Sequence, residues 1–234
     1  VIPIKIDSAW QGTSDCRSCG IRDMVLFADL NEQDFSQIHT PIDDLVFPAD
    51  VMLYAEGEQA LGIFTLRKGM VKLVRSTADG RERIVRVLRP GDVIGLEALA
   101  TAHYDSEAVA MVETSVCRIP LSVLHHLSAN SPRLHLRLMQ KWQQALKDAD
   151  DWLAELNFGT ARQRVAGLAL KMRDTEQPQF TSFFARDDMG AMLDLKLETV
   201  SREISALIRD GLIKPQDKTG RRYVIVDAQR LMAL

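Results

Sequence analysis

An α+β chain is predicted: an N-terminal antiparallel β-roll, then one long amphipathic helix, then a pair of short helices followed by a β-hairpin. Three observations predict it. Between residue 50 and about 120, apolar or alternating runs such as MVKLV (70–74) and IVRVL (84–88) are cut by Glu56-Gly57, Lys68-Gly69, Asp79-Gly80 and Pro90-Gly91-Asp92. After Ser131-Pro132 the apolar period changes from that of a strand to that of a helix. Residues 187–213 hold two short helical patterns joined at Asp194-Leu195-Lys196, and two β-patterned pieces flank Asp217-Lys218-Thr219-Gly220 beyond them.

The roll rests on its turns. A tight hairpin needs positive φ, which glycine adopts without steric cost, so Asp-Gly between β-patterned runs marks a strand reversal. Several such strands at short spacing close into an antiparallel roll. With 234 residues, 46% of them apolar and 26% charged, the chain can bury a core in each of two ordinary domains. It has no apolar run near the roughly 18 to 20 residues that span a bilayer. VIPIKIDSAW at the start lacks the basic and long apolar stretches of a signal peptide, so no membrane association and a cytoplasmic location are expected. Three cysteines do not make a disulfide framework in such a chain; they are core residues, metal ligands or redox thiols. The net charge of -3 gives no global attraction to nucleic acid, which confines any such surface to a local basic patch.

Leu138, Trp142, Ala145, Ala149, Trp152 and Leu156 follow a four-three-four-three-four spacing, the narrow seam of a coiled coil, with Met139, Leu146 and Leu153 beside it. One helix cannot bury this seam alone, so residues 131–158 are expected to form half of a symmetric dimer; the alternative is a helix packed on its own roll.

Glu198, Thr199, Ser201 and Arg202 lie near the start of the second short helix, and Glu198 and Arg202 share a face because they are four apart. Helix, turn, helix and hairpin is the order of a winged helix-turn-helix, whose second helix places its first turn in the DNA major groove. There a guanidinium donates twice to guanine and a carboxylate accepts from cytosine. The plainer reading is a surface ion pair of small energy. Context favours DNA: Leu193, Leu195, Val200, Ile204, Leu207 and Ile208 form an apolar back, and Lys214, Lys218, Arg221 and Arg222 fall on the hairpin. Between residues 196 and 222, seven Lys/Arg (196, 202, 209, 214, 218, 221, 222) face four Asp/Glu (198, 203, 210, 217), a local +3.

The run LDLKLETVSREISALIRDGLI resembles the helix-turn-helix of the CRP/FNR transcription regulators, with their E-x-x-S-R element on Glu198, Ser201 and Arg202. LRKGMVKLV and RPGDVIGLEAL resemble that family's roll, of the cyclic-nucleotide-binding, cupin-like type, and the likeness to the FNR branch covers nearly all the chain after residue 15. It implies a sensor domain at 1–130, a dimerisation helix at 131–158 and a DNA-binding domain at 159–234. It further implies a homodimer on double-stranded DNA, half-sites of the TTGAT type, and RNA polymerase as a partner. Two positions depart from the pattern: Asp194 replaces the turn glycine, and Lys196 replaces the Ser/Thr helix cap.

The resemblance bears on the signal as well. Family members that bind cyclic AMP use a Gly-Glu-Leu segment and an Arg-Ser or Arg-Thr pair. Here Gly95-Leu96-Glu97 and Tyr104-Asp105-Ser106-Glu107 stand there, and carboxylates without an arginine repel a cyclic phosphate unless Arg83, Arg86 or Arg89 substitutes, so no cyclic AMP is expected. FNR proteins carry a Cys-x-x-Cys near the N-terminus and a cysteine before Ile-Pro, matched by Cys16, Cys19 and Cys117; Val25 falls where a further cysteine belongs. The resemblance implies an iron-sulfur cluster of the [4Fe-4S] type on these three, with Asp23 or Asp15 as fourth ligand, and hence oxygen or redox sensing. A Cys16-Cys19 disulfide, a zinc site, and a family regulator that has lost the cluster and senses another ligand or none stay open. A cupin-like metal enzyme needs converging histidines, yet of His39, His103, His125, His126 and His135 only His103 lies near the roll, and no catalytic residue is assigned.

Overall fold

The structure is a computed structural model and describes Leu26, Phe27 and residues 42–77, 80, 82–174, 176–217 and 221–234. These fall into two compact units, one ending with residues 85–147 and the other comprising 76–84 and 148–234. No helix among the described residues is long and apolar enough to cross a membrane.

The first unit is built on strands β1 (Asp43–Phe47), β2 (Met52–Tyr54), β3 (Gly62–Lys68), β4 (Val71–Ser76), β5 (Glu82–Leu88), β6 (Val93–Ile94), β7 (Glu107–Ala110) and β8 (Thr114–Pro120). They make two four-stranded sheets, ordered β1-β8-β3-β6 and β2-β7-β4-β5. The expected strands at 70–74 and 84–88 are β4 and β5. The roll starts earlier than residue 50, because β1 pairs antiparallel with β8, Asp44 opposite Cys117. Ile63 and Leu66 of β3, Val116 and Ile119 of β8, and Leu73 and Ala108 of the other sheet share one core. Gly69 makes the β3–β4 turn possible: its φ is +95°, and a Cβ there would lie 2.7 Å from the Glu113 carbonyl oxygen.

Two helices follow the roll: α1 (Leu121–Asn130), which buries Val123, Leu124 and Leu127, and α2 (Pro132–Leu156). Pro132 opens α2 at the position where a missing N–H costs nothing, and disfavours helical φ/ψ at Ser131 before it. Leu134 and Leu138 of α2 complete the core of the roll.

The second unit contains α3 (Ala161–Lys171), β9 (Phe180–Ser182), α4 (Arg186–Leu193), α5 (Leu197–Arg209), β10 (Ile213–Pro215), β11 (Arg222–Ile225) and α6 (Ala228–Met232). Thr160 and Gln163 form a reciprocal capping box that starts α3. The sheet has three strands, β10-β11-β9, so the expected hairpin gains β9 at its edge. Val165, Leu168, Met189, Leu193, Val200 and Leu207 are all buried in this unit.

Candidate nucleic-acid interface and sensor sites

Helix α4 ends on Asp194, which takes the left-handed conformation (φ 53°, ψ 49°) and returns its N–H to the Gly190 carbonyl. The departure from glycine is thus accommodated by a residue type that tolerates this region. A second glycine does matter: a Cβ on Gly190 would lie 2.6 Å from the Leu195 carbonyl oxygen, so only glycine lets α4 approach the turn. Lys196 caps α5 in extended conformation and offers no side-chain acceptor, as its chemistry requires.

Val200, Ile204 and Leu207 seat α5 in the core, leaving Glu198 and Arg202 exposed and Thr199 and Ser201 partly so. All four expected reading residues therefore lie together near the start of one helix. Ile208, expected in the apolar back, is 37% exposed. Arg202 does not pair with Glu198; its Nε lies 3.4 Å from the Glu203 carboxylate, with the arginine side chain 69% exposed. A contact that long and that wet contributes little, so the guanidinium is available to a ligand.

Lys214 and Arg221 are exposed on the β10–β11 hairpin, and Lys218 lies outside the described residues. Arg222 is held more firmly. Its guanidinium sits 4.5 Å from the centre of the Phe180 ring, and Asp217 accepts hydrogen bonds from the backbone N–H of Arg221 and Arg222, each at 3.1 Å.

Two arginines of α3 escaped the sequence reading. Arg164 donates to the Leu193 carbonyl at 2.7 Å, capping α4, and Arg162 meets Asp210 at 2.6 Å, just after α5. The Arg162 hydrogen bond holds the Asp210 carboxyl below the usual carboxylate range. Both ties fix the helix-turn-helix against α3.

In the first unit, Cys117 sits half-buried on β8 between Asp44 of β1 and Thr65 of β3. Cys16, Cys19, Asp15, Asp23 and Val25 lie outside the described residues. Among the described residues no three His, Cys, Asp or Glu gather as metal ligands. Inside the roll, Tyr54 and Tyr104 stack with ring centres 3.6 Å apart, and the Tyr104 hydroxyl donates to the Gly62 carbonyl at 2.6 Å. Burial pushes both phenols up, Tyr54 further, with the Glu97 charge adding to it and Arg86 opposing. Ser106 is buried beside exposed Asp105, and one Glu97 carboxylate oxygen is buried.

Of the six α2 residues expected at a dimer seam, two are buried within the chain itself. Leu138 is 4% exposed within the roll core and Leu156 is 1% exposed in the second unit, so both are already buried by their own chain. Ala145, Ala149 and Trp152 are half-buried, and Trp152 lies 5.8 Å from the Lys171 ammonium. The exposed apolar stripe is Met139, Trp142, Leu146 and Leu153, with Leu146 64% exposed.

Residues 44–131 match the cyclic nucleotide-binding domain, and residues 163–234 match the Crp-like helix-turn-helix domain. The chain is 28% identical over 235 residues to the transcriptional activator protein FnrA of Stutzerimonas stutzeri, covering 96% of this chain and 93% of that one. It is 26% identical over 210 residues to the anaerobic regulatory protein of Pasteurella multocida, covering 87% and 77%. FixK2 from Bradyrhizobium japonicum superposes with a TM-score of 0.74 at 29% identity, covering 82% of this chain and 96% of that one. A roll of this type followed by a Crp-like helix-turn-helix domain defines a DNA-binding transcription regulator and not an enzyme. The chain carries the two domains found in CRP/FNR regulators, and the two curated relatives above are FNR-type regulators.

Proposed function

We propose that this regulator binds inverted TTGAT-type half-sites as a homodimer and takes its signal from oxygen or redox state. The observation that carries the DNA reading is the exposure of Glu198 and Arg202, with Thr199 and Ser201 half-buried between them, at the start of a helix whose back is buried. Glu198, Ser201 and Arg202 supply sequence; Lys214, Lys218 and Arg221 supply phosphate affinity, with Arg222 holding the wing in shape. Residues 1–130 are the sensor domain, 131–158 the dimerisation helix and 159–234 the DNA-binding domain. The exposed stripe Met139, Trp142, Leu146 and Leu153 meets its symmetry mate, with Ala149 permitting close approach. RNA polymerase is the second partner, and the cytoplasm the compartment.

The signal enters through Cys16, Cys19 and Cys117, with Asp23 or Asp15 completing the ligands of a [4Fe-4S]-type cluster. Cys117 is suited to this, being a half-buried thiol on a strand that ends the roll. The name of the Pasteurella relative, an anaerobic regulatory protein, points the same way. When bound, the cluster supplies an oxygen-labile tie between the arm and the roll, and these residues hold it as thiolates. Cyclic AMP is not the expected effector: Tyr104-Asp105-Ser106-Glu107 brings two carboxylates and no arginine to the region of the family's phosphate-binding pair, and Tyr104 is packed on Tyr54 beside Gly95.

Val25 favours a second reading, in which no cluster forms and a Cys16-Cys19 disulfide carries the redox signal. Anaerobic purification with iron and sulfide assay, followed by DNA titration under nitrogen and in air, separates them. A brown protein that loses DNA affinity in air, and loses both colour and response as Cys117→Ala, supports the cluster. A colourless protein whose affinity responds to thiol reductants supports the disulfide. Equal affinity under all conditions excludes both.

A further inference from the structure

The exposed face of α5 continues past the residues assigned to reading. Glu198, Arg202, Ser205 and Arg209 follow a four-three-four spacing and are all exposed, whereas Val200, Ile204 and Leu207 on the other side are buried. Arg209 is the last residue of the helix, and its side chain is 77% exposed. Among the described residues its ion-pair partner is Asp210, whose Oδ1 lies 3.9 Å from the Arg209 Nε, too far for a hydrogen bond. Asp210 is engaged elsewhere. Its Oδ2 accepts from Arg162 of α3 at 2.6 Å, and the charges of Arg209 and of Arg230, exposed on α6, add to that of Arg162 in holding the carboxyl low. Three cations thus share one anion at this end of α5. Between the two arginines of the stripe stands Ser205, a small side chain whose hydroxyl already donates to the Ser201 carbonyl at 2.9 Å.

We infer that Arg209 is a further DNA contact, which grips a backbone phosphate beyond the bases met by Glu198 and Arg202; this deepens the DNA-binding reading and rests on it. Glu198 and Arg209 are eleven residues apart, ~16 Å along the axis at about 1.5 Å per residue. The major groove is only ~12 Å wide. A helix whose first two turns meet base edges therefore carries its last turn past the groove to its wall, where the phosphates stand. A guanidinium suits that place, because its planar fork donates two hydrogen bonds to phosphate oxygens. The surplus of cations around Asp210 favours a polyanion, and continuity with the reading stripe favours the duplex over an acidic protein surface. Such a contact fixes the helix on the duplex and carries no sequence information. Arg162 is a positioning residue here: by occupying Asp210 it leaves Arg209 to the ligand.

Fluorescence anisotropy of the full chain on a TTGAT-type palindrome and a scrambled duplex, across a series of potassium chloride concentrations, tests this. Arg209→Gln is expected to weaken both duplexes alike, by about fivefold to tenfold per half-site near 0.1 M salt, and to lower the slope of log affinity against log salt by about 1 per half-site. Arg209→Met, uncharged and a good helix former, repeats the test should that variant fail to fold. Arg209→Lys should keep most of the slope, because the charge that displaces a counterion remains, and Lys68→Gln, an exposed cation on β3, should change nothing. Exchange of single phosphates for uncharged methylphosphonate locates the contact: one position in each half-site should weaken wild type and leave Arg209→Gln unaffected. An unchanged salt slope, or identical methylphosphonate scans for the two proteins, would overturn the contact. A palindrome-to-scrambled ratio altered by Arg209→Gln would overturn the phosphate assignment and make Arg209 a base reader. Unchanged DNA binding with loss of transcription in a polymerase assay would give the cations to an acidic protein surface instead. Failure of wild type to bind either duplex would remove the DNA reading itself, whereas normal wild-type binding with an unaffected Arg209→Gln removes this contact alone.

Discussion

In α5 the side chains assigned to reading, Glu198 and Arg202, stand exposed on a helix anchored by Val200, Ile204 and Leu207, whereas in the β-roll Tyr54, Tyr104 and Ser106 point their polar groups into the core. Both regions use the same apolar packing, but one displays its chemistry and the other encloses it. A displayed set on a rigid back suits a large, flat, charged partner such as a duplex. Stacked Tyr54 and Tyr104 occupy part of the roll interior, and the proposed signal input lies at the cysteines. Helix α2 itself repeats the contrast, since its inward residues Leu138 and Leu156 are buried while Leu146 and Leu153 are exposed.

The contrast breaks most visibly in the cores. Leu207→Ala, at a fully buried position, should lower unfolding free energy by about 2 to 5 kcal/mol in urea titration, whereas Arg202→Ala should stay within about 0.5 kcal/mol. Similar losses for both would mean that α5 is not divided into a structural back and a displayed front. Next in size is assembly: Leu146→Glu places like charges across the proposed two-fold axis, and sedimentation should show monomer. An undiminished dimer mass would remove α2's exposed stripe from the interface. Lys214→Ala should weaken all DNA sequences alike and reduce the slope of log affinity against log salt by about 1. A change confined to one sequence would make Lys214 a reading residue.

Smallest is the tie behind the display. Because the folded-state pKa of Asp210 is depressed, chiefly by Arg162, its contribution is present above the ordinary carboxylate range and is lost as pH falls through the folded value. Asp210→Asn should therefore be less stable than wild type at neutral pH, and the two should converge in acid. A gap that persists in acid would place the cause elsewhere.

Much of this was legible in the sequence where a local rule is strong. Asp-Gly and Pro-Gly turns placed β4 and β5, and Pro132 placed the start of α2. That Glu198, Thr199, Ser201 and Arg202 cluster near the start of one helix followed from helical spacing, while their reading role was drawn from context and resemblance. The misses have physical causes. β1 and β9 are short, and DDLVF and FTS owe their strand state to pairing with β8 and β11, which no local pattern records. That Leu138 and Leu156 are buried within their own chain depends on which apolar face of α2 meets its own domain, and both are as apolar as the residues left outside. Gly190 and the Arg164 cap on α4 act across the fold, between segments distant in sequence. The cysteine site was read by resemblance, and two of its three thiols lie outside the described residues.

The central claim is that the first two turns of α5 read base sequence. The most direct test is the ratio of affinities for a TTGAT-type palindrome and a scrambled duplex, measured by fluorescence anisotropy at one fixed salt concentration for wild type and Arg202→Ala. The account predicts that the substitution removes about 1 to 3 kcal/mol of discrimination, with the loss concentrated at one base pair of each half-site. A ratio equal to that of wild type, whatever the absolute affinities, would contradict it.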